Sequence, residues 1–251
     1  MEKVTEKWLK EWEKAKPLLR PYGDPAGYFT KPETAGYQMD TIEIGTVKFP
    51  TGKFLVRDPL VSLTDRDEPP YLREVPIGDY PLTIAVVKIE EDHYRYAAAR
   101  VLFTDKPVKA YEEALRGGEN FDFDEIVPGE TFYGFGVDAG LAAIADIETR
   151  NRYCDFCENW EIHNPDGNIY DDYFAAIFAE SCEKHPKYQR APDGDWINWK
   201  IPDTAFSLPM FASGWGDGQY PVYFGLDEDG EVCQLIVELI SLEYMADHDS
   251  E

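Results

Sequence analysis

Apolar and polar residues alternate along much of the chain, and this pattern predicts a protein built mainly from β-strands. The clearest pair of alternating segments is 81–90 and 94–103, which flank the acidic run Glu90 to Asp92. Alternation on both sides of a short polar turn is typical of a β-hairpin. Further strands are predicted over 42–49, 54–56, 132–138, 141–146, 205–211, 220–225 and 232–241.

Turn residues between several of these segments predict three more hairpins. Pro50-Thr51-Gly52 separates the first two segments, Ala139-Gly140 the next two, and Asp227 to Gly230 the last two. Proline presets φ, and glycine adopts positive φ without strain, so such runs favour chain reversal. We therefore expect each turn to join strands that pair with each other.

Helical periodicity is confined to a few segments. Residues 170–183 predict one helix, and 108–116 predict a short one that ends at Gly117-Gly118. Residues 147–165 are compatible with helix or loop, and 184–203 read as a polar loop. A first helix is predicted over 4–16, with one apolar face formed by Val4, Trp8, Leu9, Trp12 and Ala15.

Together these elements predict an α+β fold, mainly antiparallel β-sheet of about ten strands with three or four helices. The chain shows no alternation of strands and helices of the kind that builds a parallel sheet. We expect three regions: an N-terminal amphipathic helix over 1–20, a single α+β domain over 40–242 and an acidic tail over 243–251.

The charge of the chain is unusually negative. The 251 residues carry 24 basic and 49 acidic side chains, a net charge of −25, of which −16 falls within 151–251. A field of this sign repels nucleic acid and anionic membranes, so we expect neither as a partner. It would attract a basic protein, although acidity also simply favours solubility.

The first twenty residues are charged and amphipathic rather than a signal peptide, and no run is long and apolar enough for a membrane span. We therefore expect a cytoplasmic protein. Four cysteines in a chain of this length do not form a disulfide framework.

Three short blocks, met in order along the chain, resemble the bacterial domain-of-unknown-function family 4241. The blocks are Pro50-Thr51-Gly52 through Arg57-Asp58-Pro59 with Gly78-Asp79-Tyr80-Pro81, then Tyr133 through Gly140 with Asp146, and Ser213 through Gly225. The resemblance spans roughly residues 40–242. It implies a soluble bacterial protein without an assigned activity, whose relatives' genes tend to lie near toxin systems, where immunity proteins are encoded.

Asp138, Asp146 and Asp217 are candidates for a metal-dependent catalytic site. Three converging carboxylates could hold Mg²⁺ or Ca²⁺, or divide the roles of acid and base. The alternative is that Asp138 and Asp217, which both lie beside glycine-containing turns, bond to nearby backbone N–H groups. The glycines at 214, 216 and 218 do not form a phosphate loop, because no Lys-Ser/Thr pair follows them.

Cys154-Asp155-Phe156-Cys157 is a CxxC pair that could be redox-active or supply half of a zinc site. The remaining ligands could come from His163, Cys182 or His185. The alternative is that these cysteines are buried structural thiols, since residue 182 lies on the apolar face of a predicted helix.

Aromatic residues concentrate among carboxylates over 188–220. Aromatic rings anchor protein interfaces and carboxylates steer basic partners towards them, although rings also cover the core beneath loops. The candidate partner-binding residues are Trp196, Trp199, Trp215, Asp217 and Tyr220.

We therefore expect a non-enzymatic acidic protein that binds another protein, in its sharpest form an immunity-type inhibitor of a basic toxin, without a cofactor. One alternative is a hydrolase that uses zinc or another divalent metal with Asp138, Asp146 and Asp217. A further alternative is a structural or housekeeping domain without a dedicated partner. The sequence leaves the oligomeric state open.

Overall fold

A computed structural model describes residues 4–248, and this part of the chain contains thirteen strands and four α-helices. A 3₁₀ turn spans Gly27–Phe29 and a π turn spans Tyr170–Phe174. The helices are α1 (Glu6–Ala15), α2 (Ile147–His163), α3 (Ala175–Lys184) and α4 (Leu242–His248). The strands are β1 (Glu33–Thr34), β2 (Tyr37–Phe49), β3 (Phe54–Arg57), β4 (Gly78–Glu90), β5 (His93–Leu102), β6 (Ala110–Glu113), β7 (Phe135–Val137), β8 (Leu141–Asp146), β9 (Trp196–Lys200), β10 (Ser207–Ala212), β11 (Gly218–Tyr220), β12 (Val222–Leu226) and β13 (Val232–Glu238).

The strands form three sheets. A seven-stranded sheet has the order β1-β2-β4-β5-β13-β12-β6, a four-stranded sheet has the order β3-β8-β10-β9, and β7 pairs with β11 alone. Every recorded pairing within the described residues is antiparallel. The α+β class with mainly antiparallel sheet is therefore confirmed.

The two large sheets pack face to face, and helices cover their outer faces. Phe49, Phe54 and Phe224 belong to the main core between the sheets. Tyr153 of α2 and Phe178 of α3 pack on the other face of the four-stranded sheet. Strand β8 is buried along its whole length, because Ile144 faces the main core while its neighbour Ala145 faces the helices.

The outer face of the seven-stranded sheet is covered by the 3₁₀ turn and α4, through Tyr28 and Leu242. Tyr111 and Ile236 lie on the same face. This layer also contains the cavity beside Glu238 that is described below.

Helix α1 confirms the predicted N-terminal helix. Thr5 caps it by accepting a hydrogen bond from the Trp8 backbone N–H, and Trp8 and Trp12 pack against Phe121. Leu9, predicted on the apolar face, is instead exposed. In the segment predicted as an acidic tail, residues through His248 form α4, and 249–251 lie outside the described residues.

Several predictions of local structure are wrong. Residues 108–116, expected to be helical, contain strand β6 instead, which pairs with β12 at the edge of the large sheet. The turn Pro50-Thr51-Gly52 does not close a hairpin, because it leads the chain from one large sheet to the other. Nor do the strands around Ala139-Gly140 pair with each other: β7 pairs with β11, and β8 with β3 and β10. Strand β9 lies in the predicted loop 184–203.

Candidate functional site

The three aspartates predicted to converge do not come together. Asp138 precedes β8 and Asp146 ends it. Because a six-residue strand spans roughly 20 Å, these two aspartates lie at opposite ends of the strand and cannot share one ion. Asp146 is fully buried and caps α2: it accepts hydrogen bonds from the Glu148 N–H at 2.9 Å and from the Thr51 hydroxyl at 2.8 Å. The Asp146 oxygens are already engaged in hydrogen bonds within the fold. The expected site of three converging carboxylates is therefore wrong: Asp146 is a structural helix cap, and Asp138 and Asp217 are surface residues.

Asp138 and Asp217 do lie near each other. In the two-stranded sheet Val137 pairs with Gly218, and the two aspartates flank that pair at the same end of the ladder. Both side chains are exposed. The turn after Asp138 is held by another residue, because Asp58 Oδ2 accepts hydrogen bonds from the N–H groups of Asp138 and Ala139 at 3.0 and 2.7 Å.

The cysteine and histidine candidates do not form a metal centre. No group of three or more His, Cys, Asp or Glu residues in the described range is placed to hold an ion. Cys154 Sγ donates to the Thr64 carbonyl at 3.6 Å, and burial raises the pKa of Cys157 to about 12. Cys182 is buried on α3, while His163 is exposed at the end of α2. The thiols are therefore core residues.

Three of the five predicted partner-binding residues belong to the core. Trp196 and Trp199 are buried on β9, on opposite faces of the four-stranded sheet. Tyr220 is buried as well, and its hydroxyl donates to the Gly216 carbonyl at 2.7 Å. These rings cannot anchor a partner, because their surfaces are already covered by this chain.

Trp215 and Asp217 remain on the surface. Trp215 is 53% exposed, and its ring lies beside His93 and 5.3 Å from the guanidinium carbon of Arg95. A cation over an aromatic face at an exposed site contributes about 0.5–1 kcal/mol. Arg95 therefore holds the exposed ring in place. We call Asp92, His93, Arg95, Asp138, Trp215 and Asp217 the Trp215 surface.

A groove of about 570 Å³ opens beside this surface. Its walls include Tyr94 and Tyr188, whose ring centres lie 4.7 Å apart. It also contains two guanidinium groups. Arg190 pairs with the buried carboxylate of Asp195, whereas Arg95 makes no ion pair within the described residues. Burial, and then Arg190, lower the Arg95 pKa below its usual value.

The glycine-rich segment 213–218 separates this groove from a second cavity. Gly214 has φ of 39°, and a Cβ there would lie 2.5 Å from the Leu239 carbonyl oxygen, so only glycine fits. Gly214 lines the groove on one side, while Leu239 lines the cavity on the other.

The second cavity, which we call the acidic cavity, has a volume of about 350 Å³. It contains the carboxyl groups of Glu130 and Glu238, and none of its lining residues is lysine, arginine or histidine. The other residues that line it are Gly129, Phe132, Gln219, Tyr220, Pro221, Tyr223, Leu239, Ser241 and Tyr244. Its wall therefore combines two carboxyl groups with four aromatic rings.

The sequence did not single out Glu238, Asp58 or Arg95. A lone carboxylate in the apolar strand 232–241 was the available signal for Glu238, because a charged group on a buried strand needs a partner or a function. Asp58 lies in a block that carries the family resemblance. Nothing in the sequence pointed to Arg95, because its role depends on contact with Trp215, which lies 120 residues further along the chain.

Comparison of the sequence with known protein families identifies one family. A model of the family described as "Protein of unknown function (DUF4241)" matches residues 47–237, most of the chain. Helix α1 lies outside the matched range. No curated protein and no solved structure matches the chain. No helix in the described residues is long and apolar enough to cross a membrane.

Proposed function

Because the chain belongs to the DUF4241 family, whose description names no activity, we propose from its own surface that it binds a basic protein partner. The Trp215 surface is the docking site. The observation that carries this proposal is an exposed tryptophan held by Arg95. Asp217 follows it two positions along the chain, Asp138 lies across the β7–β11 ladder from Asp217, and Asp92 lines the neighbouring groove.

An anchor with these properties suits a protein interface. Tryptophan is enriched among residues that contribute most of the binding energy, and such residues are usually surrounded by groups that contribute less. Because Arg95 already restricts the ring, a partner would lose little side-chain entropy on binding it.

The charge of the whole chain supports a basic partner. A net charge of −25 attracts a cationic protein over a distance and raises its association rate, an effect that salt weakens. The carboxylates beside Trp215 would guide the partner onto the ring. In its most specific form the proposal is an immunity-type inhibitor of a basic toxin, acting in the cytoplasm, consistent with the toxin-associated setting that the family resemblance implies.

The test is calorimetric titration with any basic protein that a gene adjacent to this one encodes. We expect tight binding that weakens as sodium chloride is raised. Trp215→Ala should weaken it by about thirtyfold, which corresponds to about 2 kcal/mol. The control is Ile162→Ala, which removes a 75% exposed side chain from α2 and should leave the affinity unchanged.

Two results would contradict the proposal. One is an affinity that Trp215→Ala leaves intact. The other is binding of a basic protein that does not depend on salt concentration, because the steering carboxylates would then contribute nothing.

A further inference from the structure

Glu238 is a buried carboxyl group with one unpaired oxygen atom. The residue is 4% exposed, and its Oε1 atom makes no hydrogen bond of acceptable geometry within the described residues. Buried polar atoms are nearly always paired, and an unpaired buried carboxylate is costly. An unpaired carboxyl oxygen in a cavity wall is placed to contact a ligand there.

The groups around Glu238 complete it only in part: the Tyr28 and Ser241 hydroxyls are close enough to lower its pKa, but neither makes a hydrogen bond of good geometry to Oε1. The Tyr28 hydroxyl donates its hydrogen to Glu243 and accepts one from the Leu242 N–H. Ser241 Oγ is buried and likewise makes no hydrogen bond of acceptable geometry within the described residues. Glu243 adds a second negative charge close by, so the surroundings of Glu238 favour a positive charge rather than another anion.

A second unpaired oxygen lies on the same side of the sheet. Glu113 pairs in register with Tyr223, and its Oε1 atom accepts hydrogen bonds from the N–H groups of Tyr133 and Gly134. Its Oε2 atom is buried and has no partner in the described part of the chain. Carboxyl groups thus flank Tyr223, which lines the acidic cavity, from both neighbouring strands.

Aromatic rings form much of the remaining wall. Phe132 and Tyr244 are each partly exposed and lie on the solvent side, whereas Tyr223 is buried. A carboxylate combined with aromatic faces is the environment that organic cations prefer, because the ring faces carry negative electrostatic potential. A metal ion would instead need several oxygen, nitrogen or sulfur ligands.

We propose that the acidic cavity binds a primary ammonium or guanidinium group, with Glu238 as its counter-ion. The volume of about 350 Å³ lies at the small end of ligand sites and suits a single side chain or small amine. This ligand is either a free amine or a lysine or arginine side chain of a protein. The site does not depend on Trp215, so the inference stands apart from the proposed protein partner.

The test uses n-butylammonium, which has the structure of a lysine side chain, and n-butanol as its neutral counterpart. In spectra of protein labelled at glutamate and tyrosine, the amine should shift the Glu238 carboxyl signal and the Tyr223 ring signals, and n-butanol should not. Glu238→Gln should weaken amine binding at least about tenfold. Glu183→Gln, on an exposed position of α3, and Trp215→Ala should retain it.

A second arm identifies the source of the cation. A blocked peptide with one lysine is titrated beside the same peptide with norleucine. Preference for the lysine peptide over n-butylammonium assigns the cavity to a protein side chain, and the reverse preference assigns it to a free amine. The inference is overturned if n-butanol binds as well as the amine, or if the Glu238 and Tyr223 signals of the wild-type protein do not move. The wild-type spectra decide this even if the Gln variant fails to fold.

Discussion

The Asp58 side chain accepts a hydrogen bond from the Ala139 backbone N–H at 2.7 Å, although the two residues lie 81 positions apart. The same carboxylate accepts hydrogen bonds from the N–H groups of Asp138 and Leu60, and it is fully buried. It thus fixes the turn that presents Asp138 at the surface.

Replacing Asp58 by alanine leaves three backbone donors without their acceptor. We expect the free energy of unfolding to fall by about 3 kcal/mol, measured by urea denaturation. Asp138→Ala is the matched control and should change stability by less than about 0.5 kcal/mol, because that side chain is exposed. Equal effects of the two variants would show that the turn does not depend on Asp58.

Arg57, the neighbour of Asp58, forms a buried ion pair with Glu68. Two of its nitrogen atoms contact the two carboxylate oxygens at 2.7 and 2.5 Å, and Arg116 binds the same carboxylate. Glu68→Gln leaves the Arg57 charge buried and should destabilise the protein by about 3 kcal/mol in chemical denaturation. Glu180→Gln breaks a surface pair with Lys184 and should cost less than about 0.5 kcal/mol. Similar losses from both variants would contradict this assignment.

The free energy of unfolding should fall as the pH rises from about 4 to about 7. Burial, and then Glu243, raise the pKa of Glu238 to about 7, whereas an unfolded glutamate titrates near about 4.3. The folded state therefore keeps a proton that the unfolded state releases, so stability declines by up to about 1.4 kcal/mol per pH unit and levels off above pH 7. Burial raises the pKa of Glu113 to about 7 as well, which adds to this decline.

Glu238→Gln should reduce this slope and leave the protein more stable than wild type above pH 7. The measurement is urea denaturation at several pH values across the window. Glu183→Gln is the control and should keep the wild-type slope. An unaltered slope in Glu238→Gln would mean that this carboxyl group is ionised in the folded protein.

The cysteines should be unreactive in the folded protein. All four are buried, and burial raises the pKa of both Cys154 and Cys157, the latter to about 12. Since the thiolate is the reactive form, a thiol reagent at mildly alkaline pH should modify none of them until urea is added, and then all four. Rapid reaction of the CxxC pair in the native state would restore the redox interpretation.

The sequence predicted the structure best where pairing is local. The hairpin of β4 and β5, and that of β12 and β13, follow from alternation around a turn, because the partners are neighbours in the chain. The strand β3 was recognised but assigned to the wrong neighbour. Alternation shows that one face is buried, and it carries no information about which sheet covers that face.

The candidate site was less accessible to sequence reasoning for the same reason. Trp196, Trp199 and Trp215 lie within one aromatic stretch, yet only Trp215 is exposed. Their environments differ because β9 enters the four-stranded sheet while Trp215 follows the end of β10. Glu238 acquires its importance from Tyr223 on the adjacent strand β12, and from Ser241 and Glu243, whose positions depend on the packing of α4.

The order of strands in the large sheet also constrains synthesis of the protein. Strand β5 has β13 as its partner on one side, and β13 begins 130 residues after β5 ends. At about 5–20 residues per second, a ribosome needs on the order of ten seconds to add that stretch. Throughout this interval the nascent chain carries a ten-residue strand with an open edge, which is the kind of surface that chaperones protect.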